Sequence, residues 1–342
     1  MAHILVTGAT GRIGLPFVTD LISRGHTVRA IAVPGDERAG TLAGLGAEVI
    51  TGSVTDAAVC DAGVDGVEAV YHLAGQLPQD ASDESIFEIN VRGTWNLMKS
   101  ASRHAGTIRL VVFASTDDVY SSQDPVYTPI DENHPRRPVS TYGLSKVIGE
   151  EIGRFYQVRR DLPVAMARFG LTQRAHELLD GITAPFFLLS ARVRSLRSRA
   201  ATDPAAADQL APLERVLSEQ GEHAIALRDD AGEPWILQIC EVSDLVTGLG
   251  LYLDRPAAIG ESFNMGSAAP FATDIAAAHL SRIAGLPVLD VRVPGPRFVI
   301  NESIAKARAI LGYDPQLGIT GILDLAVQEI GAARLHTPVP TG

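Results

Sequence analysis

A glycine turn lies almost at the start of the chain, and it constrains the fold more than any other feature. Ile4–Thr7 is a short apolar run, followed at once by Thr7-Gly8-Ala9-Thr10-Gly11-Arg12-Ile13-Gly14. From Arg12 to Gly25, apolar residues recur at helical spacing (Ile13, Phe17, Val18, Leu21, Ile22) until Gly25 ends the segment. Strand, glycine turn and helix in that order open a βαβ unit. Gly8 and Gly11 let the backbone turn sharply and approach a pyrophosphate, and Gly14 lets helix and strand pack closely. The helix N-terminus then offers N–H groups and a positive dipole end to phosphates.

The alternation repeats along the first half of the chain. Strands are expected at Thr27–Val33, Glu48–Thr51, Val67–Leu73, Leu110–Ser115 and Val164–Phe169. A weak helix near Gly35–Leu45, a long one from about Ser82 to Ala105 and another over Tyr142–Arg159 lie between them. Fully apolar strands separated by helices imply an α/β fold with a doubly wound parallel sheet of the Rossmann type, covered on both faces. Beyond Arg168 the pattern loosens, with Thr202–Gln209 read as a loop or helix connection, strands at Trp235–Cys240 and Ser262–Met265, and a helix over Val242–Leu253. The expected division is a dinucleotide-binding domain over 1–169, with return segments at about 235–266. A smaller C-terminal substrate-binding lobe is expected over 170–234 and 267–342. Arg192, Arg194, Arg197 and Arg199 spread around a helix at 100° per residue, so they read as solvated surface more readily than as an anion pocket.

Composition removes several function classes. The 342 residues carry a formal charge of −11 and no sustained basic stripe, which argues against nucleic acid as a partner. Cys60 and Cys240 form no CxxC pair or Cys/His cluster, so neither a disulfide framework nor a metal site is expected. No apolar run is long enough for a membrane span, the N-terminus lacks a basic n-region, and the chain is placed in the cytoplasm.

The end of the second strand decides which dinucleotide binds. A carboxylate there would hold the ribose 2′-hydroxyl of NAD, and an arginine would accept the NADP phosphate. Asp36 and Glu37 lean toward NAD, with NADP possible because Arg38 is equally within reach. Tyr142-Gly143-Leu144-Ser145-Lys146 is a YxxxK element at a helix start, so one turn puts both side chains on one face. A phenol is a poor base at neutral pH, and an adjacent ammonium is expected to lower its pKa. The chain has only three lysines, Lys99, Lys146 and Lys306, which makes an incidental lysine at this spacing less probable.

Together with the glycine turn, His72-Leu73-Ala74-Gly75 and Asn90-Val91-Arg92-Gly93-Thr94, this element makes the sequence resemble the extended short-chain dehydrogenase/reductases, specifically the NAD-dependent epimerase/dehydratase family. The resemblance runs from residue 1 to about 170 and thins to Val242-Ser243-Asp244-Leu245 and Phe263-Asn264-Met265-Gly266-Ser267. It implies Tyr142 as general acid/base at a secondary alcohol or ketone, Lys146 also holding the nicotinamide ribose, and Thr116 hydrogen-bonding the reacting oxygen. It further implies a cofactor site formed by Gly8, Thr10, Gly11, Arg12, Ile13, Gly14, Asp36, Ser53, Val54, Leu73, Ala74, Gly75, Asn90, Tyr142, Lys146 and Phe169. Asp117 and Asp118 resemble the acid and base pair of the family's sugar-nucleotide dehydratases; they also read as turn-capping residues.

Three departures stand out. Leu171 occupies the position of an asparagine that in the family contacts a substrate diphosphate. Gly52-Ser53 replaces the Gly-Asp that recognises adenine, leaving Asp56 as the nearest carboxylate. Ser121 follows Tyr120 where glycine is usual. The resemblance implies an NAD(P)-dependent oxidoreductase of the epimerase/dehydratase type acting on a small molecule, foremost a nucleotide-linked sugar, by epimerisation, dehydration or reduction. Alternatives are an NADPH-dependent ketoreductase on a non-nucleotide molecule and a non-catalytic dinucleotide sensor. It also implies a homodimer paired through the helices near 82–105 and 142–159.

Overall fold

The structure is a computed structural model that describes residues 1–78, 81–121, 125–295 and 297–335; the last seven positions of the expected lobe lie outside the described residues. The chain forms two compact units. The first comprises Met1–Gly170, Val242–Gly266 and Ser303–Pro315, and the second Leu171–Glu241, Ser267–Glu302 and Gln316–Gly342. The return expected at about 235 begins at Val242, and the first unit also takes in a second return, Ser303–Pro315.

The first unit alternates strand and helix: β1 (His3–Thr7), α1 (Gly14–Ser23), β2 (Thr27–Ala32), α2 (Arg38–Gly44), β3 (Glu48–Thr51), α3 (Ala57–Val64), β4 (Ala69–His72), α4 (Asp83–Ile86), α5 (Gly93–Ser102), β5 (Leu110–Thr116), α6 (Thr141–Arg160) and β6 (Val164–Phe169). With Ser262–Met265 they build a seven-stranded sheet of order β3-β2-β1-β4-β5-β6-(262–265), parallel at every pairing. The order reverses between β1 and β4. In open α/β sheets a crevice opens at such a point, at the carboxyl ends of the strands. One face of the sheet packs its core from Leu5, Val70, Val111, Phe113, Val164 and Met166 against Val64, Leu97 and Ile152.

Glycines in α6 set how closely it approaches the sheet. A Cβ on Gly149 would stand 2.3 Å from the Phe113 ring, and one on Gly153 would stand 2.8 Å from Met166 Cε. Under the same helix, Glu150 is fully buried. It accepts two bonds from Arg168, from Nε and Nη2, both at 2.8 Å, and one from Ser115 Oγ at 2.7 Å. Arg168 also donates to Tyr120 Oη at 2.6 Å, and Tyr120 donates to Asn264 Oδ1 at 2.9 Å, tying the returning strand to the sheet.

At two places the local structure departs from the sequence expectation. The helix expected over 82–105 breaks into α4, a π-helical turn over Phe87–Arg92, and α5. Gly93, at that junction, lets α5 close on Val54, which a Cβ would reach at 2.6 Å. The helix α3 was not expected, because AAVCDAGV carries no clear polar stripe; Asp56 starts it by accepting from Ala58 N–H at 2.8 Å.

In the second unit, Leu189–Arg199 and Pro204–Gln220 are helices; the latter takes in all but the first two residues of the Thr202–Gln209 segment read as a connection and is capped by the Asp203 side chain. Ala224–Arg228 pairs in parallel with Val288–Arg292. The strand expected at Trp235–Cys240 divides: Ile236–Leu237 pairs antiparallel with Phe271–Ala272, and Cys240–Glu241 pairs in parallel with Thr172–Gln173. Of the four arginines, Arg197 and Arg199 bridge to Glu214 and Asp203, Arg194 donates to Gly181 O, and Arg192 is buried with Gln209 Oε1 at 3.0 Å. Leu171 packs against this unit's apolar core.

Candidate active site

The glycine turn closes against the loop after β4. Gly8 has φ +65°, and a Cβ there would lie 2.6 Å from Ala74 N and 2.7 Å from Leu73 C, so only glycine admits the approach. A Cβ on Gly14 would lie 2.1 Å from Gly8 O, which brings the helix start directly onto the turn. The N-terminus of α1 has no side-chain cap and no acidic residue in its first turn, leaving its positive end for an anion. Gly35, at φ +82°, turns the chain after β2 so that Asp36 hydrogen-bonds the Thr10 side chain of the glycine turn. Asp36 also accepts from Arg38 Nε at 3.0 Å and Nη2 at 3.2 Å. Hydrogen bonds from Arg38 and Thr10 hold its carboxyl down at about 2. The two rival groups at the end of the second strand thus bind each other, with the carboxylate adjoining the turn.

Other expected cofactor positions divide. Phe169 pairs in register with Thr116 at the ends of β5 and β6. Ser53 Oγ accepts from Thr55 N and Thr55 Oγ1, Val54 is buried in the core, and Asp56 caps α3. The Val54 side chain is committed to the core, and Ser53 Oγ is engaged as an acceptor by Thr55.

At the end of β5, Thr116 Oγ1 donates to Asp117 Oδ1 at 3.0 Å and accepts from Asp118 N–H at 3.2 Å. Ser140 caps α6 by accepting from Gly143 N–H at 2.9 Å, and it donates to Asp118 Oδ2 at 3.3 Å. A Cβ on Gly143 would meet Asp118 O at 2.3 Å. The first turn of α6 therefore sits directly on this segment and brings Tyr142 to Thr116, whose side chain it hydrogen-bonds. One turn on, buried Lys146 donates from Nζ to Ala114 O at 2.9 Å, with Nζ 5.7 Å from the Tyr142 ring centre. Gly75 faces the same ammonium: a Cβ there would be 3.0 Å from Lys146 Nζ and 3.5 Å from Asn90 Oδ1.

The electrostatics correct one expectation. Burial pushes the Tyr142 phenol up, and the charges of Asp117 and Asp118 push it further, against the Thr116 hydrogen bond. Burial also pulls Lys146 down to about 8. Tyr142 rests as a neutral phenol, because desolvation of the phenolate outweighs an ammonium that donates to the Ala114 backbone carbonyl. Burial raises Asp118 as well, opposed by Ser140. Three further residues, His72, Thr94 and Ser145, were not singled out from the sequence although they stand in the quoted motifs. All three are buried; Thr94 and Ser145 hydrogen-bond Asn90, and His72 hydrogen-bonds Thr94.

A parallel sheet with a glycine turn at its switch point, and a Tyr–Lys helix opposite Thr116, define a short-chain dehydrogenase/reductase. A family model described as the NAD dependent epimerase/dehydratase family matches residues 4–172. The chain is 34% identical over 191 residues to an L-arabinose 1-dehydrogenase (NAD(P)(+)) of Haloferax volcanii, covering 53% of this chain and 71% of that one. It is 32% identical to a uronate dehydrogenase of Pseudomonas putida, over 49% of this chain and 60% of the relative. A short-chain dehydrogenase/reductase superfamily protein from Agrobacterium tumefaciens, solved with bound NAD, superposes with a TM-score of 0.85 at 32% identity, covering 97% of each chain. The chain belongs to the NAD-dependent epimerase/dehydratase family, whose members are oxidoreductase-type enzymes.

Proposed function

We propose that this chain is an NAD-dependent dehydrogenase of a hydroxyl-bearing carbon on a sugar or sugar acid that carries no nucleotide. The observation that carries the reading is the Thr116–Tyr142–Lys146 group beside Gly75 and Asn90. Leu171 supports the absence of a nucleotide: at the place of the diphosphate-binding asparagine stands an apolar side chain packed into a core. Two relatives above 30% identity are named as dehydrogenases of an unlinked sugar and of uronate, which supports the same substrate class.

Gly8, Gly11, Gly14, Asp36, Gly75 and Lys146 fit an NAD molecule, since Cβ atoms at the glycines would fill or close the turn and Asp36 offers a carboxylate to a ribose. When bound, NAD supplies the hydride acceptor. Thr116 orients the substrate oxygen, and Tyr142 Oη exchanges the proton with it. Because burial and the two aspartates keep Tyr142 protonated, it is ready to donate to an alkoxide but must ionise before it can accept a hydroxyl proton. Oxidation should therefore climb with pH through the neutral range while reduction stays level, as initial rates in the two directions would show.

Incubation with unlinked sugars, sugar acids and nucleotide-linked sugars tests the substrate class. NADH formed in step with oxidised product from an unlinked substrate is the expected result. An epimerised or dehydrated nucleotide sugar without net NADH overturns it, and establishes the second reading, which Asp117 and Asp118 beside Thr116 favour. Tyr142→Phe should lower kcat by about 10²–10⁴-fold. We assign the protein to the cytoplasm, where NAD is met, and to a homodimer paired through α5 and α6. Trp95 and Phe155 stack in the open with ring centres 6.1 Å apart, and Val158 beyond them is 87% exposed. Light scattering should give twice the chain mass, and a monomer at micromolar concentration removes the pairing.

A further inference from the structure

The polar side chains buried behind Gly75 form a hydrogen-bonded run whose direction can be worked out. Thr94 Oγ1 donates its single proton to Asn90 O at 2.5 Å, so toward His72 Nε2, 3.0 Å away, it can only accept. His72 therefore carries its proton on Nε2, and its bare Nδ1 accepts from Thr7 Oγ1 at 2.7 Å. Thr7 Oγ1 in turn accepts from Ala74 N–H at 3.2 Å. The other tautomer would set two lone pairs against each other at Nε2 and Thr94 Oγ1.

Thr94 holds the main-chain carbonyl of Asn90, and the Asn90 side chain reaches the candidate site. Asn90 grips Gln76 from both sides, accepting from its N–H at 2.6 Å and donating to its carbonyl at 3.0 Å. The Asn90 amide also donates to Ser145 Oγ at 3.0 Å, and Ser145 donates to Tyr142 O at 2.7 Å. The 74–76 segment is thus held at one end by Thr7 and at the other by Asn90, with Gly75 against Lys146 between them.

We infer that His72, together with Thr94, is a positioning residue for the proposed reaction. As an Nε2-protonated neutral imidazole it locks the 74–76 segment and Asn90 into one arrangement, and so sets where Tyr142 and Lys146 stand. The inference rests on Tyr142 as the proton-transfer group. His72 itself is fully enclosed and touches no substrate. Burial, with the charge of Lys146, pulls its pKa down to about 3, which keeps the imidazole neutral as the run requires.

Two measurements test it. Nitrogen-15 spectra of histidine-labelled protein without substrate should show one of the nine imidazoles, absent in His72→Phe, with a bare Nδ1 and a protonated Nε2. That signal should not move across pH about 5 to 8, where a free histidine titrates. An Nδ1-protonated ring, or one that titrates normally, overturns the inference. In steady-state kinetics, Thr94→Val keeps the shape of the side chain but removes both bonds. It should lower kcat by about 10–100-fold with little change in KM, since displacements near an ångström have effects of that order. Thr94→Ser should restore kcat. Parent-like kcat in Thr94→Val, or equal damage in Thr94→Ser, means His72 is only a satisfied core residue. Activity surviving in Tyr142→Phe would instead defeat the proposed reaction while leaving the tautomer result intact, so the two failures are distinguishable.

Discussion

The first unit buries two polar networks of opposite kind. Around Glu150 the network is charged: a carboxylate with no exposure meets Arg168 through two 2.8 Å bonds, with Arg136, Arg154 and Ser115 completing its shell. Around His72 every member is neutral, and each proton has one acceptor. The charged network derives its strength from Coulomb attraction in a dry interior and tolerates small changes of angle. The neutral one depends on direction, because a single reversed proton breaks it. Charge therefore holds the fold at Glu150, while orientation serves the candidate site at His72.

Removing charge from the first network should have the largest effect. Glu150→Gln leaves Arg168 buried without a carboxylate, and breaking such a pair costs about 3–5 kcal/mol. Urea unfolding would measure it. Replacing both partners, as in Glu150→Leu with Arg168→Met, should cost less than Glu150→Gln alone; a larger cost would mean that the pair itself is net stabilising.

Acid should then separate the networks by pH. Burial works against ionised Glu150, but hydrogen bonds and charge from Arg168 prevail and hold it at about 2, below the unfolded value of 4.5. Its contribution is present above pH 4.5 and is lost as pH falls toward 2. Neutral His72, pulled to about 3 from 6.5, binds its proton more readily in the unfolded chain, so its loss begins earlier, as pH falls below 6.5. Subtracting the stability–pH curve of His72→Phe from that of the parent should isolate this upper limb, and an unchanged limb between 6.5 and 4.5 contradicts the assignment.

The smallest effect belongs to Thr94→Val. It orphans one buried donor on His72, worth about 1–3 kcal/mol of stability. If its loss matched that of Glu150→Gln, the contrast between charged and neutral networks would fail.

Much of this molecule was legible in the chain. The parallel sheet follows from the alternation of apolar strands with helices, and Thr116, Tyr142 and Lys146 stand in short motifs whose members adjoin along one strand end and one helix turn. What escaped the sequence depended on distant partners. His72 is 65 residues from Thr7 and 22 from Thr94, so its motif showed its presence without its task. The phenol of Tyr142 was expected low and is high, because burial and the position of Asp118 arise only when Gly143 settles on that segment. Val54 lay in a cofactor motif, but it faces Gly93 across the core.

By itself, then, the sequence determined the glycine turn, the parallel sheet and the residue types at the candidate site. Backbone freedom, apolar periodicity and one-turn spacing are local properties, written in neighbouring positions. The tertiary structure alone decided which groups are charged, which way each buried proton points, and that Leu171 belongs to a core. Desolvation and hydrogen-bond direction depend on what surrounds an atom in space, and here that comes from strands and helices tens of residues apart.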